Sequence, residues 1–339
     1  MTDPALHLNP NLYKADVEQE PIRFGFGRGL LAAGHANANV VALCADLTAS
    51  TRMDAFAKSY PERFVEIGVA EQNLVTVAAG MALAGKVPFV SSYAAFSPGR
   101  NWEQIRTTIC LNQTNVKIVG SHAGVSVGPD GATHQMLEDI ALMRVLPNRT
   151  VVVPCDALEA EKATRALAAI NGPAYIRLAR EPSPQVTTAA TPFALGRAQV
   201  LRAGHDLTIV AVGTMVYQAL VAAETLLRTH GLEVEVINAA VVKPLDTVTI
   251  LTSARKTGAV LTAEEGQVAG GLGGAVAELL AEQHPVPMSR LGMLDRFGES
   301  GQPNQLLEYF GLTAPHFVSA AEQLMRRKMK HAYVAARPA

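Results

Sequence analysis

Three short stretches gather the residue types that bind ligands and move protons. The first is 64–73, FVEIGVAEQN, where a β-branched run passes into a helical pattern whose first turn carries Glu71. In a doubly wound sheet, ligands meet the chain at the carboxyl ends of strands, where helices begin, so a carboxyl group there is placed to meet one. The apolar neighbours Val69, Ala70 and Leu74 would take it partly out of water. The same residue types also allow a plain helix-start glutamate that completes a cap and is favoured by the helix dipole.

The second stretch, 91–102, reads SSYAAFSPGRNW and sets Tyr93, Phe96 and Trp102 beside Arg100, just after another apolar run. Aromatic residues make up only 5% of the chain, so this is a local concentration. Ring faces at a strand end can hold a flat heterocycle, or they can simply pack a core. The third stretch, 120–135, reads GSHAGVSVGPDGATHQ, a glycine-rich loop carrying His122, Asp130 and His134. Its glycines let it fold tightly round a small ligand. Histidine as proton shuttle and aspartate as hydroxyl acceptor suit a polyol. The spacing matches no common zinc site, so no metal site is assigned.

The elements that must position these residues follow from the hydrophobic pattern. Runs at 39–45, 63–67, 86–91, 116–121, 150–154 and 174–178 read as strands, and 70–84, 101–113, 134–145 and 157–170 as helices. Apolar strands alternating with helices predict a parallel sheet covered on both faces. A second alternation starts at 207, with strands at 207–212, 234–238 and 259–263 and helices to His230 and at 246–256, 273–283 and 319–330. Between the two lies 181–197, with Pro182, Pro184 and Pro192, which reads as a linker. The expected organisation is an arm at 1–20, a first domain at 21–180, the linker, and a smaller α/β domain at 198–339. The glycines of FGFGRGL lower helix propensity in the first helix around Arg28. The GGLGG at 270–274 lacks the dinucleotide-binding spacing and reads as a tight strand-to-helix turn.

Composition narrows the partners. The 339 residues carry 29 Lys+Arg against 30 Asp+Glu, a formal net charge of −1, which gives no basic field for nucleic acid or an anionic membrane. Hydrophobic residues at 49% and charged ones at 17% exclude a disordered chain. Cys44, Cys110 and Cys155 lie far apart, in no CxxC arrangement, and read as buried thiols. No run approaches the ~20 apolar residues of a membrane span, so a cytoplasmic protein is expected.

Together the three stretches resemble the carboxyl-terminal half of transketolase, from Arg23 onward. GVAEQN at 68–73 resembles the segment that carries the cofactor glutamate, and GPDGATHQ at 128–135 the substrate loop shared with deoxyxylulose-phosphate synthase. The resemblance implies two doubly wound α/β domains: a mostly parallel pyrimidine-binding domain and a smaller transketolase carboxyl-terminal domain. It also implies thiamine diphosphate as cofactor, with Glu71 at N1′ of the aminopyrimidine, Phe96 packed on that ring, Tyr93 on the same wall, and Asp46 nearby. His134 and Asp130 would face the substrate hydroxyls, and His122, Arg23, Ser50 and Arg180 its phosphate. The implied activity is transfer of a two-carbon ketol unit from a ketose phosphate to an aldose.

Members of the family bind the diphosphate and Mg²⁺ (or Ca²⁺) through a GDG sequence followed by a later Asn, and this chain has no GDG. The resemblance therefore implies a separately encoded partner subunit that supplies that half, in an expected α₂β₂ assembly. The alternatives are a deoxyxylulose-phosphate synthase-like activity, a 2-oxoacid dehydrogenase β subunit, or a non-catalytic stabilising subunit. Pro98–Gly99 sits between Phe96 and Arg100, so Arg100 receives no role at this stage.

Overall fold

The computed structural model describes residues 7–335, so the readings made for 1–6 and 336–339 lie outside the described residues. The first domain runs β1 (Gln19–Pro21), α1 (Ile22–Ala36), β2 (Val40–Cys44), α2 (Asp54–Ser59), β3 (Phe64–Glu66), α3 (Glu71–Leu83), β4 (Val87–Tyr93), α4 (Trp102–Gln104) and β5 (Lys117–Ser121). It continues through α5 (Asp139–Val145), β6 (Thr150–Val152), α6 (Ala157–Ala169), β7 (Ala174–Arg177) and β8 (Pro182–Pro184). The second domain comprises β9 (Gln199–Arg202), β10 (Leu207–Ala211), α7 (Met215–His230), β11 (Val234–Asn238), β12 (Val241–Lys243) and α8 (Thr247–Thr257). It ends with β13 (Val260–Gln267), α9 (Leu272–Gln283), β14 (Met288–Met293), α10 (Pro303–Tyr309) and α11 (Ala314–Ala335).

The first sheet has the order β12-β6-β7-β5-β4-β2-β3, parallel except for β12, which pairs antiparallel with β6 at the edge. The second has the order β14-β13-β10-β11-β9, parallel except for β9. Strands β2, β5, β7, β10 and β11 are buried along their whole length, as apolar strands covered on both faces must be. The fold class is the expected pair of mostly parallel α/β domains. The short β12 comes from the second domain and completes the sheet of the first, so the two share a continuous apolar core through Val151, Val153, Val242 and Ile250.

Several local expectations change. The helix expected over 134–145 begins only at Asp139. Upstream, Met136 bridges Ala123 in parallel and accepts from the Gly124 N–H at 2.9 Å, which holds this stretch extended. The helix expected over 101–113 forms as α4 followed by a wider-wound turn at Ile105–Leu111. Within 181–197, β8 pairs antiparallel with β1. Residues 7–18 of the arm lie on the chain itself: Leu12 is buried in the second domain's core, and Asn9 donates through its N–H to Val186 O at 3.0 Å.

The glycines of α1 have a packing reason. A Cβ on Gly25 would sit 1.7 Å from Ala157 O, and one on Gly29 would sit 2.7 Å from Thr164 Cβ, so α1 presses backbone to backbone on α6. Arg28 forms ion pairs with Glu20 (2.5 Å) and Glu161 (2.8 Å). At GGLGG, α9 starts with Leu272, and the Glu264 carboxylate accepts the Leu272 and Gly273 N–H groups. A Cβ on Gly271 would fall 2.0 Å from that carboxylate, which is why the turn is glycine-rich.

Candidate active site

The carboxyl ends of β2, β3, β4 and β5 open on one side of the first sheet, the position a doubly wound sheet gives to its ligand. Glu71 is the first residue of α3 and is 2% exposed. Its burial does not come from Val69, which is 70% exposed; the turn after β4 lies over it. That turn reaches it twice. Asn101 Nδ2 donates to Glu71 O at 2.9 Å, and Arg100 Nη1 donates to Glu71 Oε2 at 2.6 Å. The Arg100 guanidinium also lies 4.8 Å from the centroid of the Phe96 ring.

From Phe96 an aromatic wall runs away from Glu71. Phe96 and Tyr93 stack at 6.4 Å, His134 meets Phe96 edge-on at 5.3 Å, and His122 stacks on Tyr93 at 3.9 Å. Trp102 is not part of this wall; its Nε1–H donates to Leu142 O at 2.9 Å. His134 Nδ1 pairs with Thr133 Oγ1, and His122 Nδ1 with Ser121 Oγ, each leaving Nε2 free to point elsewhere. Burial first, and then the charges of Arg23, Arg180 and His134, push the His122 pKa down to about 3, so His122 is neutral at pH 7.

Beyond His122 lies a cationic end. Arg23 Nη1 donates to Ser50 O at 2.7 Å, and Arg180 Nη1 donates to Val127 O at 2.6 Å. Asp130 is exposed and stands 3.6 Å from Arg180 Nη1. The structure thus brings Glu71, Phe96, Tyr93, His134, His122, Arg23, Ser50, Arg180 and Asp130 into one connected group. Asp46 touches it only indirectly: it is exposed, at φ +57°, and its N–H donates to Glu66 Oε1 at 2.7 Å.

Two contributors were not singled out in the sequence. Glu66 braces the site by accepting also from Thr48 Oγ1 (2.9 Å) and Gly68 N (3.0 Å), tying the loop after β2 to the turn before Glu71. Arg52 enters beside Arg23, with its guanidinium 3.6 Å from the Phe24 ring centroid. Its place two residues after Ser50 was the available signal.

The glycine-rich loop is shaped by the second domain. Glu265 Oε1 accepts the Ser126 N–H at 2.7 Å, while its Oε2 accepts from Thr214 Oγ1 at 2.9 Å. Gln135 Nε2 donates to Val125 O, Gly128 O and Glu299 O, which pins both ends of the loop to each other and to the second domain. A flat wall with a buried carboxyl group at one end and cations at the other fits an aromatic heterocycle and an anionic polyol. Among the described residues no group of three or more His, Cys, Asp or Glu side chains is placed to hold a metal ion. No helix among them is long and apolar enough to cross a membrane.

Comparison with known proteins agrees with this geometry. Residues 20–185 match the transketolase pyrimidine-binding domain, and residues 196–317 match the transketolase C-terminal domain. The chain is 42% identical over 316 residues to the 6-deoxy-6-sulfo-D-fructose transketolase subunit SqwH of Clostridium sp. (strain MSTE9), covering 93% of this chain and 98% of the relative. It is 41% identical over 312 residues to a putative transketolase C-terminal section of Methanocaldococcus jannaschii, covering 91% of this chain and 96% of the relative. A solved split gene transketolase, described as an inactive β4 tetramer, superposes with a TM-score of 0.85 at 47% identity over 91% of this chain and 99% of that one. The chain belongs to the transketolase family, of which it carries the pyrimidine-binding domain followed by the C-terminal domain.

Proposed function

We propose that this chain is the pyrimidine-binding β subunit of a split transketolase that moves a two-carbon ketol unit from a ketose phosphate to an aldose. The observation that carries this reading is the buried Glu71 carboxyl group at the start of α3, next to the stacked wall of Phe96, Tyr93 and His134. The pyrimidine end of thiamine diphosphate fits that arrangement, and when bound the cofactor supplies the nucleophilic carbon that ketol transfer needs.

Glu71 would hydrogen-bond the pyrimidine nitrogen of the bound cofactor, at a position its burial shields from bulk water. Phe96 supplies the flat face on which the ring lies. His134, held by Thr133, stands where a substrate hydroxyl proton is handed over, and Asp130 accepts a neighbouring hydroxyl. His122, Arg23, Ser50 and Arg180 hold the anionic end; a planar guanidinium fixes the orientation of oxyanions as a point charge does not. These contacts hold the donor in one orientation.

The diphosphate end is assigned to a partner subunit, which would hold Mg²⁺. This is supported by the missing GDG and by the open side of the sheet, where Val69 is exposed two residues before Glu71. It is also supported by relatives named as a transketolase subunit and as a C-terminal section, and by a similar solved chain described as a split gene transketolase in an inactive β4 tetramer. Self-association of the β chains within an α₂β₂ complex follows.

The test mixes the chain with a GDG-bearing partner, thiamine diphosphate and Mg²⁺. Expected is transfer of a glycolaldehyde unit from xylulose 5-phosphate to an aldose, and a loss of several orders of magnitude in kcat in Glu71→Ala with assembly intact. The sulfo-sugar named for the similar subunit belongs among the donors tried. Turnover of pyruvate instead, or full activity in Glu71→Ala, overturns the reading in favour of a synthase-like or a non-catalytic chain.

A further inference from the structure

The cationic end of the wall is out of charge balance at one particular pair. Arg180 faces two carboxylates, Asp130 at 3.6 Å and Glu181 at 3.4 Å. Arg23 and Arg52 face none among the described residues: Arg23 donates to Ser50 O alone, and the Nε of each is buried without a partner. Both guanidinium groups share one aromatic support, Phe24, at 3.6 Å for Arg52 and 5.8 Å for Arg23. Arg52 is the strongest charge acting on Arg23, ahead of Arg180, and Glu181 opposes the two only from a distance.

Arg52 holds this place against its own preferences. Its φ of +63° is in the left-handed region, where a residue bearing a Cβ is strained. Gly27 makes the room: a Cβ there would sit 2.8 Å from Arg52 O and 3.0 Å from Arg52 Cβ. Two like charges on one ring, one of them on strained backbone and each with a buried Nε that lacks a partner, form a preorganised receptor for a group carrying more than one negative charge.

We propose that Arg52 is a specificity-determining residue that joins Arg23 to bind the terminal oxyanion of the substrate as a dianion, selecting phosphate monoesters over singly charged sulfonates. The attraction that one guanidinium adds scales with the charge of the ligand, so Arg52 contributes about twice as much to holding a group of charge −2 as to holding one of charge −1. The naming of the ligand as the end of a sugar rests on the ketol-transfer reading; the oxyanion site itself rests on the arginine geometry alone.

The test titrates the full chain calorimetrically with methyl phosphate and with methanesulfonate, at about pH 7.5 and about pH 5.5, on either side of a phosphate second ionisation near 6. Methyl phosphate is expected to bind more tightly at the higher pH. Methanesulfonate, ionised at both, reports any contribution from the protein's own titrations. Arg52→Asn, chosen because Asn tolerates positive φ, is expected to weaken methyl phosphate by about 10- to 100-fold. It should change methanesulfonate much less, with the fold checked by circular dichroism. Arg52→Lys, which keeps charge without the fork, should recover part of the loss.

If Arg52→Asn and Arg52→Lys both leave methyl phosphate affinity unchanged while Arg23→Gln abolishes it, the proposal is overturned and ketol transfer is untouched. If Arg52-dependent binding of methyl phosphate is found but the assembled complex transfers no ketol unit, the anion site stands and the proposed function falls.

Discussion

At the scale of single residues, the contact that matters most is the one between Glu71 and Arg100. The two groups assigned to the aminopyrimidine, the Glu71 carboxylate and the Phe96 face, are both taken by one guanidinium: 2.6 Å from Oε2 and 4.8 Å from the ring centroid. Arg100 satisfies a buried carboxylate while remaining 48% exposed itself, so it can swing outward once another donor takes its place at Glu71. It therefore competes with the ring for the same site. Arg100→Gln is expected to tighten thiamine diphosphate binding by the assembled complex several-fold. The same change should lower the stability of the cofactor-free chain by about 1–3 kcal/mol, because a buried acceptor loses its charged donor. Titration followed by fluorescence and urea unfolding measure the two effects; weaker cofactor binding in Arg100→Gln would show that Arg100 holds the ring instead. Nothing in the spacing of SPGRN foretold this contact, since it depends on how the turn after β4 folds back over the start of α3.

At the scale of elements, α1 gives the clearest test. On propensity alone, Gly25→Ala should stabilise a helix by about 1 kcal/mol. The contact with α6 reverses the sign, because the new methyl carbon would meet Ala157 O at 1.7 Å and the helices must part. Gly25→Ala is expected to destabilise by at least about 2 kcal/mol in urea unfolding, in the range of overpacked cores. Gly80→Ala, on the exposed side of α3 with nothing within 4 Å of its Cβ, should instead stabilise the isolated chain by up to about 1 kcal/mol. Equal and positive effects at the two sites would refute the packing account. The sequence showed the glycines of FGFGRGL only as a weakness of the helix; the partners of Gly25 and Gly29 are more than a hundred residues away, in α6. A strand buried on both faces, such as β2 with its VVALC, could be read directly because burial demands an unbroken apolar run. The short β12 could not, because three residues joining a sheet edge are selected by backbone pairing and leave no pattern. Arg52 escaped notice for a similar reason: its placement depends on Phe24 and Gly27 across a turn.

At the scale of the whole molecule, the two domains are joined by a buried carboxyl group that titrates near neutrality. Glu159 of α6 accepts from Cys155 N at 2.7 Å and from Asn238 Nδ2 at 2.8 Å, the latter at the end of β11 in the second domain. Burial first, and then the neighbouring charge of Asp156, push its pKa up to about 7 from an ordinary 4.5. Between those values the folded chain holds a proton that the unfolded chain has released. The stabilisation is therefore complete below about pH 4.5, falls as pH rises, and is gone above about pH 7. A shift of this size corresponds to an order of 3 kcal/mol at most. Glu264, raised to about 7 by burial, acts in the same direction, so Glu159 accounts for only part of the slope. Glu159→Gln keeps the shape and stays neutral, and Asn238 Oδ1, buried without a partner, can turn to accept from the new amide. The difference in Tm between Glu159→Gln and the unaltered chain, followed from about pH 5 to about pH 8, isolates this one group from every other titration the two share. Glu159→Gln should gain on the unaltered chain by several degrees as pH rises across that window. Parallel curves would mean that Glu159 is not what makes the joint between the domains sensitive to pH.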